Sequence, residues 1–257
     1  MMNNNDILKI AMEQSAVDLG ACASDFERSE NVIVTSRVTG GARSYLSLPF
    51  SCQLVSYGNN IVASVTDDFR DIVQKYISSY PVEHCFETPN MHVLDAALSV
   101  RGQKICFMAE YFLPDLNLLR ALDCPYDIRL LYPSDLAQLY IPEWSNALCE
   151  SRKHLDMIAV GAYDGTELVG LAGASADCET MWQIGIDVLP GYRRQGIASA
   201  LTSRLAIEVL ERGKVPFYCA AWCNIRSVRN AIKCGFRPAW VELTSKPTDF
   251  VSEMNKR

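Results

Sequence analysis

The sequence has little of what a protein metal site needs. It contains only three histidines in 257 residues, and none of its ten cysteines belongs to a Cys-x-x-Cys pair. The closest pair, Cys219 and Cys223, is separated by three residues. Because zinc sites use closely spaced Cys and His ligands, we expect no metal cofactor.

Long apolar runs and an excess of positive charge are also missing. No stretch approaches the roughly 20 apolar residues that span a bilayer, and the chain starts with a polar segment rather than a signal-peptide core. The net charge is −6, and no broad basic stripe is visible. We therefore expect a cytoplasmic protein with free thiols that binds neither nucleic acid nor membrane.

The arrangement of apolar residues predicts an α/β protein of two domains. The pattern of strands and helices restarts around residues 122–125, which predicts an N-terminal α/β domain at 1–122 and a second domain at 123–257. Elements predicted in the first domain are helices at 7–20, 68–78 and 90–100, a hairpin of strands 51–57 and 60–65 joined through Gly58-Asn59, and a strand at 104–112.

The second domain carries a longer series of predicted elements. Two helical pieces follow Ser134-Asp135, and the last dozen residues are polar and predicted to be loosely held. The other predicted elements are strand 126–131, a hairpin of 157–163 and 167–174 around Asp164-Gly165, strand 181–188, a long helix ending at Gly213, strand 215–221, helix 225–234, and a strand pair from 236 to about 245.

The stretch from Ile186 to Ala198 predicts an anion site. It reads as the end of a buried strand, a short basic turn with a glycine, and the start of an amphipathic helix. Such a turn directs backbone N–H groups and the positive end of a helix towards one point, which suits a phosphate or pyrophosphate. Arg193 and Arg194 add charge, and Gly196 allows close approach of the backbone.

The same residues resemble a known family. Val188-x-Pro190-x-Tyr192-Arg193-x-x-Gly196-x-Ala198 is similar to the acyl-CoA signature Arg/Gln-x-x-Gly-x-Gly/Ala of the GNAT superfamily, the acyl-CoA-dependent N-acetyltransferases. Asn224 stands eleven residues before Gly235-Phe236, which is the usual distance in that family. The resemblance covers residues 126–245 and implies a GNAT fold, an α/β (α+β) mixed sheet, in the C-terminal half.

The resemblance implies acetyl-CoA as cosubstrate and assigns residues to it. The backbone of Ile186 and Val188 would hold the pantetheine arm, with the Val188 N–H near the acetyl carbonyl oxygen, and Asn224 would contact the CoA chain. The turn would hold the pyrophosphate through Arg193, Arg194, Gln195, Gly196, Ile197 and Ala198.

The sequence indicates the general acid and the general base less clearly than the cosubstrate site. Many family members have a Tyr seven residues after the Asn, and this chain has Ala231 there. Tyr218, Cys234 or water could substitute, although Tyr218 also suits a core position. Glu179, just before the central strand, is the candidate base, and an exposed loop carboxylate is the plainer interpretation of it.

The acceptor side is predicted from the family's pocket, which would bring Glu143, Trp144 and Trp222 to the substrate; each Trp also suits a core. The leading hypothesis is direct transfer of acetyl to an amine of a small molecule or peptide by a monomer or homodimer. The alternative is a non-catalytic acyl-CoA-binding regulatory module. A nucleotide-binding protein fits less well, since no Gly-Lys-Ser/Thr follows the turn.

The first half contains a sequence pattern that is weakly similar to the Asn–helix–Gly pattern of the second half. Asn90, a helical segment and Gly102 precede the predicted strand 104–112, with twelve residues from Asn to Gly rather than eleven. This spacing suggests a degenerate GNAT-like repeat without the Arg-x-x-Gly-x-Ala turn. An unrelated α/β extension is the other interpretation.

Overall fold

The computed structural model describes residues 2–256, and these residues form a mixed α/β fold. Its contacts form two compact units. Unit 1 contains the chain up to Ile10 together with Tyr111–Pro238, and unit 2 contains Ala11–Glu110 together with the chain from Ala239 onward. Each unit combines two separate segments of the chain, whereas the sequence predicts two continuous domains that meet at residues 122 and 123. That domain division stays a prediction.

Unit 2 is built around a hairpin whose turn contains Gly58, at φ +101°. The two hairpin strands pair antiparallel with Cys52 opposite Val65, and a third strand runs parallel to the second of them. Apolar side chains of the strands and helices form one buried core. The elements are α1 (Asn4–Leu19), β1 (Val32–Thr35), β2 (Cys52–Ser56), β3 (Val62–Val65), α2 (Arg70–Ser79), α3 (Thr88–Ser99) and β4 (Gln103–Pro114), with β4 and α1 divided between the units.

The C-terminal residues are more ordered than the sequence predicts. Instead of a strand pair and a loose end, the structure has one long strand, β10 (Phe236–Pro247), followed by α6 (Thr248–Met254). Residues 241–244 of β10 pair antiparallel with β2. The Thr248 N–H donates to the Gly102 carbonyl at 2.9 Å, and the Phe250 ring packs edge-on against Phe107. Partners distant in sequence therefore order a polar segment.

Unit 1 contains a five-strand series in the order β9-β8-β7-β6-β5. Pairing is antiparallel from β5 to β8 and parallel between β8 and β9. Apolar residues from the strands pack against the buried face of α4. The strands are β5 (Asp127–Leu131), β6 (Asp156–Asp164), β7 (Glu167–Ser175), β8 (Met181–Val188) and β9 (Val215–Ala220), and the helices are α4 (Ile197–Glu211) and α5 (Ile225–Lys233).

The two helical pieces predicted after Ser134-Asp135 are not α-helices. This region contains only short 3-10 turns, at Pro133–Asp135, Pro142–Trp144 and Glu150–Leu155. Between the second and third turns lies an irregular segment, residues 145–148, which we call the seated loop. The Asn146 and Ala147 N–H groups donate to the Asp187 carboxylate of β8, and the Ser145 and Leu148 N–H groups donate to the carbonyls of Pro142 and Trp144. These bonds satisfy the four N–H groups without a continuous helix.

The seated loop lies directly on the sheet because two facing positions lack side chains. Gly173 on β7 is the register partner of Gly185 on β8. A Cβ at Gly185 would lie 1.8 Å from the Asn146 carbonyl oxygen, and one at Gly173 would lie 2.1 Å from that of Ala147. The Asp187 carboxylate accepts from the Asn146 N–H (2.8 Å), the Asn146 amide Nδ2 (2.7 Å) and the Ala147 N–H (2.9 Å). Glycine and aspartate thus fix the loop together.

No helix within residues 2–256 combines the length and apolar character that crossing a membrane requires.

Candidate functional site

A cavity opens in unit 1 where β8 and β9 separate. The two strands pair only through Met181, Trp182 and Gln183 of β8, and β8 then continues to Val188 without β9 beside it. The cavity between the separated strands and α5 has a volume of about 1140 Å³. It is closed at the last pair, Gln183 with Phe217, and widens towards the end of β8.

The edge of β8 presents backbone donors to this cavity. The Leu189 N–H donates to the Val169 carbonyl at 3.0 Å, on the β7 side. Because successive N–H groups of a strand point to opposite sides, those of Ile186 and Val188 point away from β7 and into the cavity. The Val188 carbonyl points the same way, since it accepts from Arg193 Nε at 3.0 Å.

The turn after β8 has unusual backbone dihedral angles. Arg194 has φ +67° and Gly196 has φ +87°, two left-handed residues within three positions. A left-handed conformation costs a side-chain-bearing residue about 1–2 kcal/mol. Gly196 is also the N-cap of α4 and supplies no side-chain hydrogen bond. The N–H groups of the first helical turn are therefore left to bond an anion in the cavity.

The outer side of the turn is held by aromatic residues. Tyr126 donates to Gln195 Oε1 at 2.8 Å, and its ring packs edge-on against Tyr192. Gln195 does not line the cavity, unlike the other eight residues predicted to bind the cosubstrate: Ile186, Val188, Arg193, Arg194, Gly196, Ile197, Ala198 and Asn224. The structure thus brings nearly all of the predicted cofactor residues together.

The opposite wall is α5, and it carries residues that the sequence analysis missed. The Asn224 carboxamide oxygen accepts from the Ser227 N–H at 3.2 Å and so caps this helix. Arg226, Arg229 and Lys233 line the cavity together with Arg193 and Arg194. The spacing of the α5 cations at i, i+3 and i+7 was a readable signal of one basic helix face.

Tyr218 belongs to β9 and lines the cavity. It is 3% exposed and contacts the core, and its hydroxyl lies 2.7 Å from Ser227 Oγ. Burial raises the pKa of Tyr218, while hydrogen bonds with Ser227 and Asn230 act to lower it. Its phenol therefore keeps its proton at neutral pH.

Two further positions near Tyr218 do not reach the cavity. Ala231, at the place of the family's usual Tyr, is fully buried. Cys234 donates from Sγ to the Ser199 carbonyl at 3.2 Å, and burial raises the pKa of Cys234 to about 12. Neither residue lines the cavity, so of the predicted candidates Tyr218 has the best position.

The residues predicted for the base and the acceptor lie elsewhere. Glu179 and Glu143 are exposed, and Trp222 is 49% exposed. Trp144 is buried in a core cluster with Leu148. None of these four lines the cavity, whereas Asn146 of the seated loop does. The described residues contain no group of three His, Cys, Asp or Glu side chains placed to hold a metal ion.

A sequence model of the GNAT acetyltransferase family matches residues 104–239, more than half of the chain. The match begins after most of unit 2, so the degenerate repeat suggested for the first half stays a prediction. The comparison with curated proteins finds no match.

Solved structures with similar folds are distant in sequence. A putative GNAT acetyltransferase from Novosphingobium aromaticivorans is 18% identical with a TM-score of 0.45, over 56% of this chain and 66% of that one. A GCN5-related N-acetyltransferase-like protein from Streptococcus suis is 18% identical with a TM-score of 0.43, over 73% and 72%. The putative acetyltransferase yncA from Salmonella typhimurium, described with its cofactor acetyl-CoA, is 18% identical with a TM-score of 0.37, over 49% and 95%. The chain spans just under two thirds of the first of these.

Proposed function

Because the chain belongs to the GNAT acetyltransferase family, we propose that it transfers the acetyl group of acetyl-CoA to an amine of a small molecule or peptide by direct attack. One observation carries the proposal. The open edge of β8 leads straight into the left-handed turn and the uncapped start of α4, and all three face one cavity.

Acetyl-CoA lies along β8 in this proposal. Its pyrophosphate accepts hydrogen bonds from the N–H groups at the start of α4, next to Arg193 and Arg194. The pantetheine amides pair with the backbone of Val188 in the manner of an added strand. Ile186 lies nearer than Val188 to the closed end of the cavity, so the Ile186 N–H replaces the Val188 N–H of the sequence prediction as the proposed donor for the acetyl oxygen and for the oxyanion that develops there.

The departing thiolate takes its proton from Tyr218. The amine attacks the thioester carbon, the tetrahedral intermediate collapses, and the C–S bond breaks. A thiol has a pKa of only about 8.5 and leaves with modest help. Tyr218 keeps its proton at neutral pH until it donates it to the thiolate, and it regains a proton from solvent through Ser227, 2.7 Å away. No base is assigned, since the Asp187 carboxylate is bonded by the seated loop. The reacting amine is therefore the neutral form present in solution, and its nitrogen releases the extra proton to solvent after the attack.

Tyr218→Phe is expected to lower kcat about 10- to 100-fold, near the lower end of the range for general acid catalysis because the leaving group is good. The affinity for acetyl-CoA should stay within about twofold, since the lost hydroxyl acts only after binding. Steady-state kinetics with binding calorimetry measure both. Tyr76→Phe is the matched control, because the buried Tyr76 hydroxyl bonds only the Cys85 carbonyl in unit 2. An unchanged kcat in Tyr218→Phe would exclude it as the proton donor.

The proposed function is tested by ligand binding followed by an amine screen. Acetyl-CoA at ~100 times its Kd should stabilise the protein by about 2.7 kcal/mol in a thermal-shift experiment. A shift with ATP and none with acetyl-CoA would contradict the proposal. Release of CoA thiol is then measured against a broad library of amines. Binding of acetyl-CoA without turnover of any amine would favour the regulatory module, for which the absence of the family's Tyr at Ala231 is the supporting observation.

The cytoplasmic location and the choice between monomer and homodimer stay predictions.

A further inference from the structure

The cations around the cavity are close together and have no acidic partner, unlike the arginines of the neighbouring helix α4. On α4, both Arg204 and Arg212 bond the Glu208 carboxylate, at 2.6 and 2.8 Å. In the part of the chain from residue 2 to 256, no acidic oxygen lies within 4.0 Å of any of the five cavity cations, which are Arg193, Arg194, Arg226, Arg229 and Lys233. Five unpaired cations around one cavity in a protein of net charge −6 indicate a polyanionic ligand.

These cations form two groups on different elements. Arg193 and Arg194 belong to the turn at the start of α4. Arg226, Arg229 and Lys233, which we call the helix group, lie along one face of α5 and extend over roughly 10 Å at 1.5 Å per residue. Like charges three or four residues apart destabilise a helix slightly, and no acidic residue occurs in α5 to offset them. An anion bound between these side chains would offset that cost.

The two groups suit two different anions. The pyrophosphate is a diester with about two charges, and the turn already offers it helix N–H groups and two guanidinium groups. The helix group is left for a second anion, and a phosphate monoester with a charge near −2 suits two fork-shaped guanidinium groups and one ammonium group. CoA carries such a monoester at the 3′ position of its ribose.

From this arrangement we propose that the helix group binds the 3′-phosphate of the cosubstrate and makes the enzyme select CoA esters over 3′-dephospho-CoA esters. The inference rests on the proposed function and adds residues and a selectivity to it. The backbone contacts along β8 are the same for both ligands, so the difference in their affinity reports the contacts of the 3′-phosphate, and the loss of that difference in a variant of the helix group assigns those contacts to it.

The test compares the binding of acetyl-CoA and acetyl-3′-dephospho-CoA by calorimetry. Wild type is expected to bind acetyl-CoA about 10- to 100-fold more tightly, which corresponds to one or two good ionic contacts. In Arg226→Gln/Arg229→Gln the ratio should fall to about 1–3, with the affinity for the dephospho ligand nearly unchanged. The exposed pair Lys75→Gln/Arg120→Gln removes the same charge away from the cavity and should keep the wild-type ratio.

Each other outcome overturns the inference in a recognisable way. Equal affinity of wild type for the two ligands would show that the 3′-phosphate is not bound. An equal loss of affinity for both ligands in the double variant would mean that the helix group binds the pyrophosphate. A double variant that keeps the wild-type ratio and instead loses affinity for an anionic acceptor would assign the helix group to the acceptor. If neither ligand binds wild type, the proposed function itself fails.

Discussion

Gly196→Glu is expected to lower the affinity for acetyl-CoA at least about 100-fold, or some 2.7 kcal/mol. Apart from its chain neighbours, no atom lies within 4 Å of a Cβ built at Gly196, so the new side chain starts in open space. Its carboxylate would lie beside Arg193 and Arg194 and at the positive end of α4, where the pyrophosphate binds in the proposal. It would repel the ligand and neutralise the cations that attract it. Calorimetry with acetyl-CoA measures the loss.

Two variants separate the charge from the backbone strain in this experiment. Gly196→Ala brings only the left-handed strain, about 1–2 kcal/mol of stability, and should weaken binding less than about tenfold. Gly58→Glu places the same charge at another glycine with positive φ and open space, in the β2–β3 hairpin of unit 2. It should leave the affinity unchanged. Wild-type affinity in Gly196→Glu would mean that the pyrophosphate is bound elsewhere.

Arg43→Met is expected to destabilise unit 2 by about 3–5 kcal/mol, because it leaves a buried carboxylate without its counter-charge. Arg43 and Asp18 are each 1% exposed and in direct contact. The same carboxylate accepts from the Arg43 N–H at 2.9 Å and from Gln14 at 3.0 Å. Burial acts to lower the pKa of Arg43, yet Tyr45, Asp18 and Glu242 raise it above its usual range, so the guanidinium stays charged. Urea denaturation followed by circular dichroism measures the loss.

The exposed pair of Lys256 and Glu253 provides the comparison. Both side chains are 68% exposed at an N–O distance of 2.5 Å, and Lys256→Met should cost no more than about 1 kcal/mol. Adding Asp18→Asn to Arg43→Met should recover part of the lost stability, since the buried charge is then gone. A cost below about 1 kcal/mol for Arg43→Met alone would show that water reaches Asp18.

The strand end, turn and helix start that face the cavity could be predicted because they are local in sequence. Residues 186–198 contain the end of β8, the turn and the start of α4, and the glycine at position 196 marks the left-handed residue directly. The β6–β7 hairpin at Asp164-Gly165 was likewise indicated by a short-range pattern and is confirmed. The basic face of α5 was equally readable, although the cavity it lines exists only because β9 leaves β8 after Phe217.

The residues predicted to contact the acceptor do not line the cavity, because the position of each depends on tertiary packing. Trp144 fills a core and Trp222 lies on the surface, yet both look alike in sequence. Asp187 could be a base on an open strand, but Asn146 and Ala147, forty positions earlier in the chain, bind its carboxylate. Two glycines on neighbouring strands make room for that loop, and no local pattern connects them to it.

The seated loop has a consequence for the thermodynamics of ligand binding. Its Asn146 and Ala147 amides bond one carboxylate, and its carbonyls lie against Gly173 and Gly185, so tertiary contacts hold this irregular segment in place. An immobilised side chain or loop usually costs a complex about 0.5–1.5 kcal/mol per side chain in lost freedom. That loss has already occurred for Asn146 during folding, and an arriving ligand meets a preorganised wall whose order subtracts nothing from its affinity.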